Sequence, residues 1–264
     1  PTSLYINWQH QVENILSSAI NSHLAPIQAA AMIVERKTGL VRAYVGSARY
    51  GSETRKGAIN YLTALRSPGS TLKPLIYAKA LNRGLITHDH VFDDTAFFKS
   101  GYRPTNFNNS FSGKVGLKEA LIASLNIPAI RAIEKVGPHL VQAELNTYLD
   151  GALTSQKDVG LSLAVGGLYL TPEQLVSIYM GIMDPGYAKT ISFGPTTPNT
   201  DMTLISTSTA NQILSLLIQE MSNGERVAFK TGTSYARQDA WSVQIYEQHI
   251  VLVWFGTPDN EPTQ

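Results

Sequence analysis

Apolar positions along this chain follow two different periods. Spacings of three and four residues predict amphipathic helices near the N-terminus and through the middle of the sequence. Short runs rich in Val, Ile, Ala, Tyr and Trp predict strands near both ends. The predicted helices cover residues 7–24, 117–125, 128–136, 140–149, 171–183 and 209–221, with another beginning near residue 70. The predicted strands cover residues 29–34, 40–45, 226–230, 240–246 and 250–255.

This order predicts an α+β fold, because strands at both chain ends can form one antiparallel sheet around a mostly helical insertion. We expect a sheet lobe at residues 1–66 and 205–264 and a helical lobe at 67–204, both within one domain of 264 residues. A cleft between two such lobes is the natural place for a binding site. The polar stretch 88–116 predicts an irregular loop long enough to line or cover that cleft.

Composition narrows the function classes. Apolar residues make up 43% and charged residues 16%, which is typical of a folded globular protein. The net charge of +1 gives no strong field for nucleic acid or anionic lipid. Without cysteine the chain forms no disulfide and performs no thiol catalysis. The sequence contains no apolar run of about 18 residues, so no membrane-spanning helix is predicted within it. It begins at Pro1 and shows no signal peptide, so we expect a segment of a longer protein.

The first candidate for chemistry is Ser70, in the stretch 66–74. Pro68 and Gly69 predict a tight turn that leads into a helix, which places Ser70 near the helix N-terminus. Lys73 follows three residues later on the same face, where a desolvated amine can act as the base for the serine. Taken alone, S-x-x-K is a weak signal and favours an ordinary capped amphipathic helix with a chance lysine.

Two further short motifs follow. Ser124 and Asn126 lie at a predicted helix end, where a hydroxyl and a carboxamide can both face a cleft. Residues 230–234, Lys-Thr-Gly-Thr-Ser, follow a strand and offer a cation, hydroxyls and a glycine where a substrate backbone has to approach. A second Lys-Thr-Gly at residues 37–39 lacks the following threonine and is interpreted as a hairpin turn.

The three motifs S-x-x-K, S-x-N and K-T-G-T in this order indicate the serine–lysine constellation of penicillin-binding proteins and class A β-lactamases. The chain resembles the transpeptidase domain of class A penicillin-binding proteins, in particular the penicillin-binding protein 1C branch. The resemblance covers nearly the whole chain. It extends to residues 66–74, 103–107, 119–129, 166–167, 230–241 and 255–259.

The resemblance implies a D,D-transpeptidase that cross-links peptidoglycan stem peptides and is inhibited by β-lactams. Ser70 would attack the D-Ala–D-Ala carbonyl, and Lys73 would take its proton. Ser124 would pass that proton to the leaving D-Ala, and Asn126 would orient Lys73 and the substrate amide. The implied catalytic residues are Ser70, Lys73, Ser124, Asn126 and Lys230.

The resemblance also implies how substrate is held. Lys230, Thr231 and Thr233 would bind the terminal carboxylate, and the backbone N–H groups of Ser70 and Thr233 would form an oxyanion hole. The implied substrate and oxyanion-binding residues are Thr231, Gly232, Thr233 and Ser234. No cofactor and no metal is implied. The implied partners are stem peptides and β-lactams, on the periplasmic face of the cytoplasmic membrane. Relatives in class A normally add a membrane anchor and a glycosyltransferase domain, and we expect neither within these 264 residues.

Other interpretations stay open. A D,D-carboxypeptidase would use the same residues with water as acceptor, and a non-catalytic β-lactam-binding scaffold or sensor would keep the fold. A metal site at residues 88–94 is less favoured, because no further His or Cys spacing accompanies its His and Asp residues. A Ser-His-Asp hydrolase is disfavoured because Ser70 lacks the G-x-S-x-G context.

Overall fold

The computed structural model describes residues 2–21, 26–53, 55–194, 202–234, 237–259 and 261. Its α-helices are α1 (Ile6–Asn21), α2 (Lys73–Asn82), α3 (Leu117–Ile122), α4 (Asn126–Val136), α5 (Pro138–Tyr148), α6 (Pro172–Met183) and α7 (Thr207–Leu217). Its strands are β1 (Gln28–Glu35), β2 (Val41–Val45), β3 (Val91–Asp94), β4 (Gly113–Gly116), β5 (Ile218–Glu220), β6 (Arg226–Thr233), β7 (Asp239–Tyr246) and β8 (His249–Gly256).

Strands from both chain ends form one sheet in the order β2-β1-β8-β7-β6-β5. Its neighbouring strands pair antiparallel, and the N-terminal strand β1 lies directly against the C-terminal strand β8. Burial alternates along β7 and β8, as expected where each face of a sheet is packed differently. The prediction of an α+β fold with an antiparallel sheet from both chain ends is confirmed.

Helix α2 lies at the centre of the larger core. Its first eight residues, from Lys73 to Ala80, are all buried, and it packs against α4, α6 and α7. A helix that neighbours surround on every side excludes water from its polar side chains as well as its apolar ones. Lys73 and Lys79 are therefore buried lysines, with 0% and 4% of their surface exposed.

Several predicted boundaries differ from the structure. Helix α3 ends at Ile122 instead of residue 125, because Ser124 adopts a left-handed backbone conformation with φ 56°. Helix α7 ends at Leu217, because the next three residues pair with β6 as strand β5. The stretch 88–116 is not wholly irregular, since β3 and β4 pair there as a two-stranded antiparallel sheet. Residues 22–24 of the first predicted helix lie outside the described residues.

At Gly69 the chain just before α2 packs directly against strand β6. Gly69 has φ +52°, and a Cβ atom there would lie 2.4 Å from the carbonyl oxygen of Thr233 on β6. Gly69→Ala is therefore expected to add a backbone clash to the cost of a left-handed alanine. Together these lower the free energy of unfolding by about 2–5 kcal/mol.

Gly84→Ala is the matched control, because Gly84 has φ +65° but nothing lies within 4 Å of its added Cβ. This variant isolates the conformational cost, on the order of 1–2 kcal/mol. Thermal unfolding of both variants measures the difference, at about 2–4 °C in Tm per kcal/mol for a chain of this size. Equal losses in the two variants would contradict close packing between residue 69 and strand β6.

Candidate active site

Ser70 lies in a short 3-10 turn, Gly69–Leu72, that leads directly into α2. The backbone N–H of Lys73 donates to the carbonyl of Ser70, so the two residues stand one turn apart on the same face. The Thr71 hydroxyl braces the turn by donating to the Pro68 carbonyl at 2.6 Å, and the Tyr179 hydroxyl donates to the Thr71 carbonyl at 2.8 Å. Ser70 itself is half-buried, and within the described residues its hydroxyl has no hydrogen-bond partner.

The side chain of Lys73 is fully buried. Its Nζ donates to the backbone carbonyl of Ser124 at 2.5 Å and to Oδ1 of Asn126 at 2.7 Å. Burial holds the pKa of Lys73 well below its usual range, and the nearby positive charge of Lys230 lowers this pKa further. A neutral amine has two hydrogens and one lone pair. The two hydrogens have acceptors here, which leaves the lone pair free to take a proton.

Ser124 and Asn126 lie in the link between α3 and α4. Ser124 holds a left-handed φ of 56°, which is costly for a residue other than glycine and is typical of functional sites. Its hydroxyl accepts a hydrogen bond from Nζ of Lys230. Asn126 is the first residue of α4, and its Nδ2 donates to the Thr105 carbonyl at 2.7 Å. The carboxamide is thereby oriented with Oδ1 toward Lys73.

Lys230 lies on β6 with 2% of its surface exposed. Its Nζ donates to the Thr231 carbonyl at 2.7 Å as well as to Ser124. Burial lowers the pKa of Lys230 to about 8. Lys73, Ser124 and Lys230 therefore form one chain of polar contacts that joins α2, the α3–α4 link and the sheet.

Beyond Ala228, strand β6 loses its outer neighbour, because β5 pairs only with Arg226–Ala228. The Ser234 N–H donates across to Asp239, so strand alternation turns the backbone groups of Thr231 and Thr233 toward the open edge. The side chains of Thr231 and Thr233 are exposed. Gly232 faces the Ser70 turn, and a Cβ there would lie 2.7 Å from Cγ2 of Thr71 and 2.8 Å from the Pro68 carbonyl oxygen.

Ser234 is the sequence-identified residue that the structure does not bring to this open edge. It is 5% exposed, and its Oγ accepts from the Asp239 N–H at 2.8 Å. The same hydroxyl hydrogen-bonds to the Asp239 carboxylate, which also accepts from Nε1 of Trp254 at 2.9 Å. Ser234 therefore holds the turn between β6 and β7, because the strand period points it away from Thr231 and Thr233.

Sequence reasoning did not assign a role to Asp94 or Asn106. Both are buried, and Nδ2 of Asn106 donates to the two carboxylate oxygens of Asp94 at 2.9 Å each. The sequence signal that pointed to Asn106 is the Pro-Thr-Asn-Phe segment at residues 104–107. This segment contributes to the family resemblance but is part of none of the three motifs.

The stretch 88–94 does not assemble into a metal site. In the described ranges of the chain, no group of three or more His, Cys, Asp or Glu side chains is placed to hold an ion. The Asp94 carboxylate already accepts hydrogen bonds from Asn106 and from the Ser112 N–H.

Among the described helices, none is long and apolar enough to cross a membrane.

Comparison with known proteins places this chain in a family. Residues 29–256 match the family model described as the penicillin-binding protein transpeptidase domain. Penicillin-binding protein 1C of Escherichia coli K12 is 32% identical over 99% of this chain and 35% of its own length. Penicillin-binding protein 1B of Vibrio cholerae is 27% identical over 90% of this chain and 34% of its own length. The chain thus spans about a third of the length of these curated relatives.

Solved structures show the same fold. PonA1 from Mycobacterium tuberculosis superposes with a TM-score of 0.79 at 21% identity, covering 100% of this chain and 78% of that one. The transpeptidase domain of Burkholderia pseudomallei penicillin-binding protein 3 also gives 0.79 at 21% identity, covering 98% and 88%. The family match spans most of the sequence, including the Ser70, Ser124 and Lys230 motifs. The chain belongs to the penicillin-binding protein transpeptidase domain family.

Proposed function

We propose that this chain is a D,D-transpeptidase domain that cross-links peptidoglycan stem peptides through an acyl-enzyme on Ser70. The observation that carries the proposal is the setting of Lys73, a buried amine with a lowered pKa and two fixed hydrogen-bond acceptors, one turn from an unpartnered serine hydroxyl. An activated nucleophile needs such a base, because a serine hydroxyl is a weak nucleophile at its ordinary pKa.

The first half of the reaction forms the acyl-enzyme. Ser70 Oγ attacks the carbonyl carbon between the two terminal D-Ala residues, and its proton passes to the lone pair of Lys73. The backbone N–H groups of Ser70 and Thr233 stabilise the oxyanion, each donor contributing about 2.7–4 kcal/mol in comparable acyl-transfer enzymes. The C–N bond then breaks, and Ser124 relays the proton from Lys73 to the departing D-Ala amine.

The second half resolves the ester. The amine of a second stem peptide attacks the acyl carbon and loses a proton through Ser124 to Lys73. The bond between that carbon and Ser70 Oγ breaks, and Ser70 regains its proton. A carboxypeptidase would replace the amine by water with the same residues.

Substrate orientation follows from the open edge of β6. A donor peptide lies along this edge in antiparallel fashion, as an added strand does in other peptide-binding sheets. Its terminal carboxylate meets Lys230 and the hydroxyls of Thr231 and Thr233. Gly232 keeps the edge close to the Ser70 turn, and Ser234 supports the edge from behind through Asp239.

β-Lactams would acylate Ser70 in the same way. PonA1 has been solved in complex with penicillin V, and its fold is that of this chain. We extend the proposal to the whole protein: sheet lobe 1–66 and 205–264, helical lobe 67–204, and, elsewhere in a longer polypeptide, a membrane anchor and a glycosyltransferase domain. Such a protein would work on the periplasmic face of the cytoplasmic membrane.

The proposal is tested by two measurements on the folded chain. Intact mass after incubation with penicillin, followed by peptide mapping, is expected to place one adduct on the peptide that contains Ser70. A donor pentapeptide supplied with an acceptor amine is then expected to give cross-linked product in proportion to the acceptor. Hydrolysis alone would identify a carboxypeptidase. Acylation without turnover of any peptide would identify a sensor, and a folded chain with no adduct would refute the acyl-enzyme.

The pH dependence of acylation is expected to be bell-shaped. The second-order rate constant with penicillin should rise as Lys73 loses its proton, because only the neutral amine can accept one from Ser70. It should fall above about pH 8, because Lys230 then loses the positive charge that attracts the carboxylate. Stopped-flow or quenched mass measurements across the pH range provide the profile.

Lys230→Met is expected to lower the rate and to remove the fall at high pH. Lys37→Met is its matched control, since Lys37 belongs to the other Lys-Thr-Gly of the chain, in the turn between β1 and β2. A profile that keeps rising above pH 9 in the unmodified chain would contradict the role of Lys230.

A further inference from the structure

Asp94, at the end of β3, is a fully buried carboxylate with an unusual set of partners. It accepts two hydrogen bonds from Nδ2 of Asn106 at 2.9 Å each and one from the Ser112 N–H at 2.7 Å. No cation of the described residues lies within ion-pair distance of it. Burying a carboxylate without an ion pair is costly unless hydrogen bonds compensate for the lost water. These three hydrogen bonds do so and fix the position of the Asp94 side chain.

Asn106 transmits this fixed position to helix α4. Its Oδ1 accepts from the Asn126 N–H at 2.7 Å and from the Ile127 N–H at 3.4 Å. Helix α4 has no side-chain cap from its own N-cap residue, Leu125. Asn106 therefore caps the helix from a loop twenty residues away in sequence and fixes the helix start.

The neighbouring residue fixes the carboxamide of Asn126. The Thr105 carbonyl accepts from Nδ2 of Asn126 at 2.7 Å, and Oδ1 of Asn126 accepts from Lys73 at 2.7 Å. One short segment thus sets both the backbone and the side chain of the residue that holds the amine. The chain of contacts runs from Asp94 through Asn106 and Asn126 to Lys73.

We infer that Asp94 and Asn106 are positioning residues for the acylation step, acting through Asn126 to hold Lys73 beside Ser70. The inference rests on the proposed function. Neither side chain touches substrate. Losing either loosens the α3–α4 link, which moves Asn126 Oδ1 and the Ser124 carbonyl together, because both are acceptors for the same amine.

The test separates saturable penicillin binding from the acylation rate constant. Asn106→Ala is expected to bind penicillin with nearly unchanged affinity but to acylate about 10²-fold more slowly, the loss typical of a misplaced catalytic group. A purely structural role would instead reduce the folded fraction and leave the rate constant of the folded molecules, counted by mass spectrometry, unchanged.

A swap variant gives a second readout. Asn106→Asp alone puts two carboxylates face to face and removes the donor of the Ser110 carbonyl, which accepts from Asn106 Nδ2 at 2.9 Å. Asp94→Asn combined with Asn106→Asp restores donor opposite acceptor between residues 94 and 106, while the Ser110 contact stays lost in both variants. The swap is expected to acylate at least ten times faster than Asn106→Asp. The swap is also expected to move the acid limb of the pH profile to higher pH. The negative charge then lies one step nearer to Lys73 in the chain of contacts, where it favours the protonated amine. The other charged group facing that amine is Lys230.

Wild-type acylation in the same assay separates the two hypotheses. If the wild-type chain forms no adduct on Ser70, the proposed function fails and this inference fails with it. If the wild-type chain is acylated while Asn106→Ala keeps its rate constant and pH profile, only the positioning role is overturned. Equal rates for Asn106→Asp and the swap would overturn it as well, and this comparison decides the question if Asn106→Ala does not fold.

Discussion

Ser70→Ala is expected to form no covalent adduct with penicillin, which corresponds to a loss of about 10⁶-fold or more in serine acyl-transfer enzymes. The reason is chemical, since no other hydroxyl stands one turn before a buried lysine in α2. The substitution removes a single oxygen atom, and this oxygen has no hydrogen-bond partner in the described part of the chain. Stability is therefore expected to stay within about 0.5 kcal/mol of the unmodified chain.

Fluorescent penicillin labelling on a denaturing gel measures this result, and thermal unfolding verifies the fold. Ser215→Ala is the matched control, because Ser215 is an exposed serine of α7 whose hydroxyl, among the residues that the structure describes, bonds only to the Gln212 carbonyl. It should label like the unmodified chain. Persistent labelling of Ser70→Ala, mapped to any other residue, would rule out Ser70 as the nucleophile.

Lys73→Arg is expected to lower the acylation rate constant by about 10²–10⁴-fold at every pH, the usual contribution of a general base. Arginine keeps a long side chain with hydrogen-bond donors but cannot be deprotonated in proteins, so it cannot accept the Ser70 proton. Rising pH should therefore rescue none of the activity. This variant tests the base function while keeping donors for the Ser124 carbonyl and Asn126, which an alanine substitution would remove as well.

Lys79→Arg is the control for placing a guanidinium in this buried helix. Lys79 lies on α2, is 4% exposed, and donates to the Leu204 carbonyl at 2.7 Å while pairing with Glu144 at 2.8 Å. It makes no contact with Ser124 or Asn126 and should retain acylation. If Lys73→Arg acylated at the unmodified rate, the proton acceptor would have to be another group.

The sequence by itself determined the order of most elements and which residues are candidates for the chemistry. Residue patterns located the strands at both ends and the helix at residues 171–183. In the structure that helix, α6, begins with a local capping box, in which the Thr171 hydroxyl and the Gln174 side chain each accept from the other's backbone N–H. The pairing of Ser70 with Lys73 could also be predicted from the sequence, since the two residues lie one turn apart. Such features depend on residues a few positions apart, where backbone geometry fixes the distance.

Only the tertiary structure decided how those groups are arranged. Contacts between distant segments set four features: the left-handed backbone of Ser124, the pairing of β3 with β4, the burial of Ser234 and the capping of α4 by Asn106. Lys73 meets Asn126 across 53 residues, and Lys230 meets Ser124 across 106. The lowered pKa values of the two lysines likewise arise from burial among several elements. No local pattern encodes that burial, because packing excludes water only when all of those elements are in place.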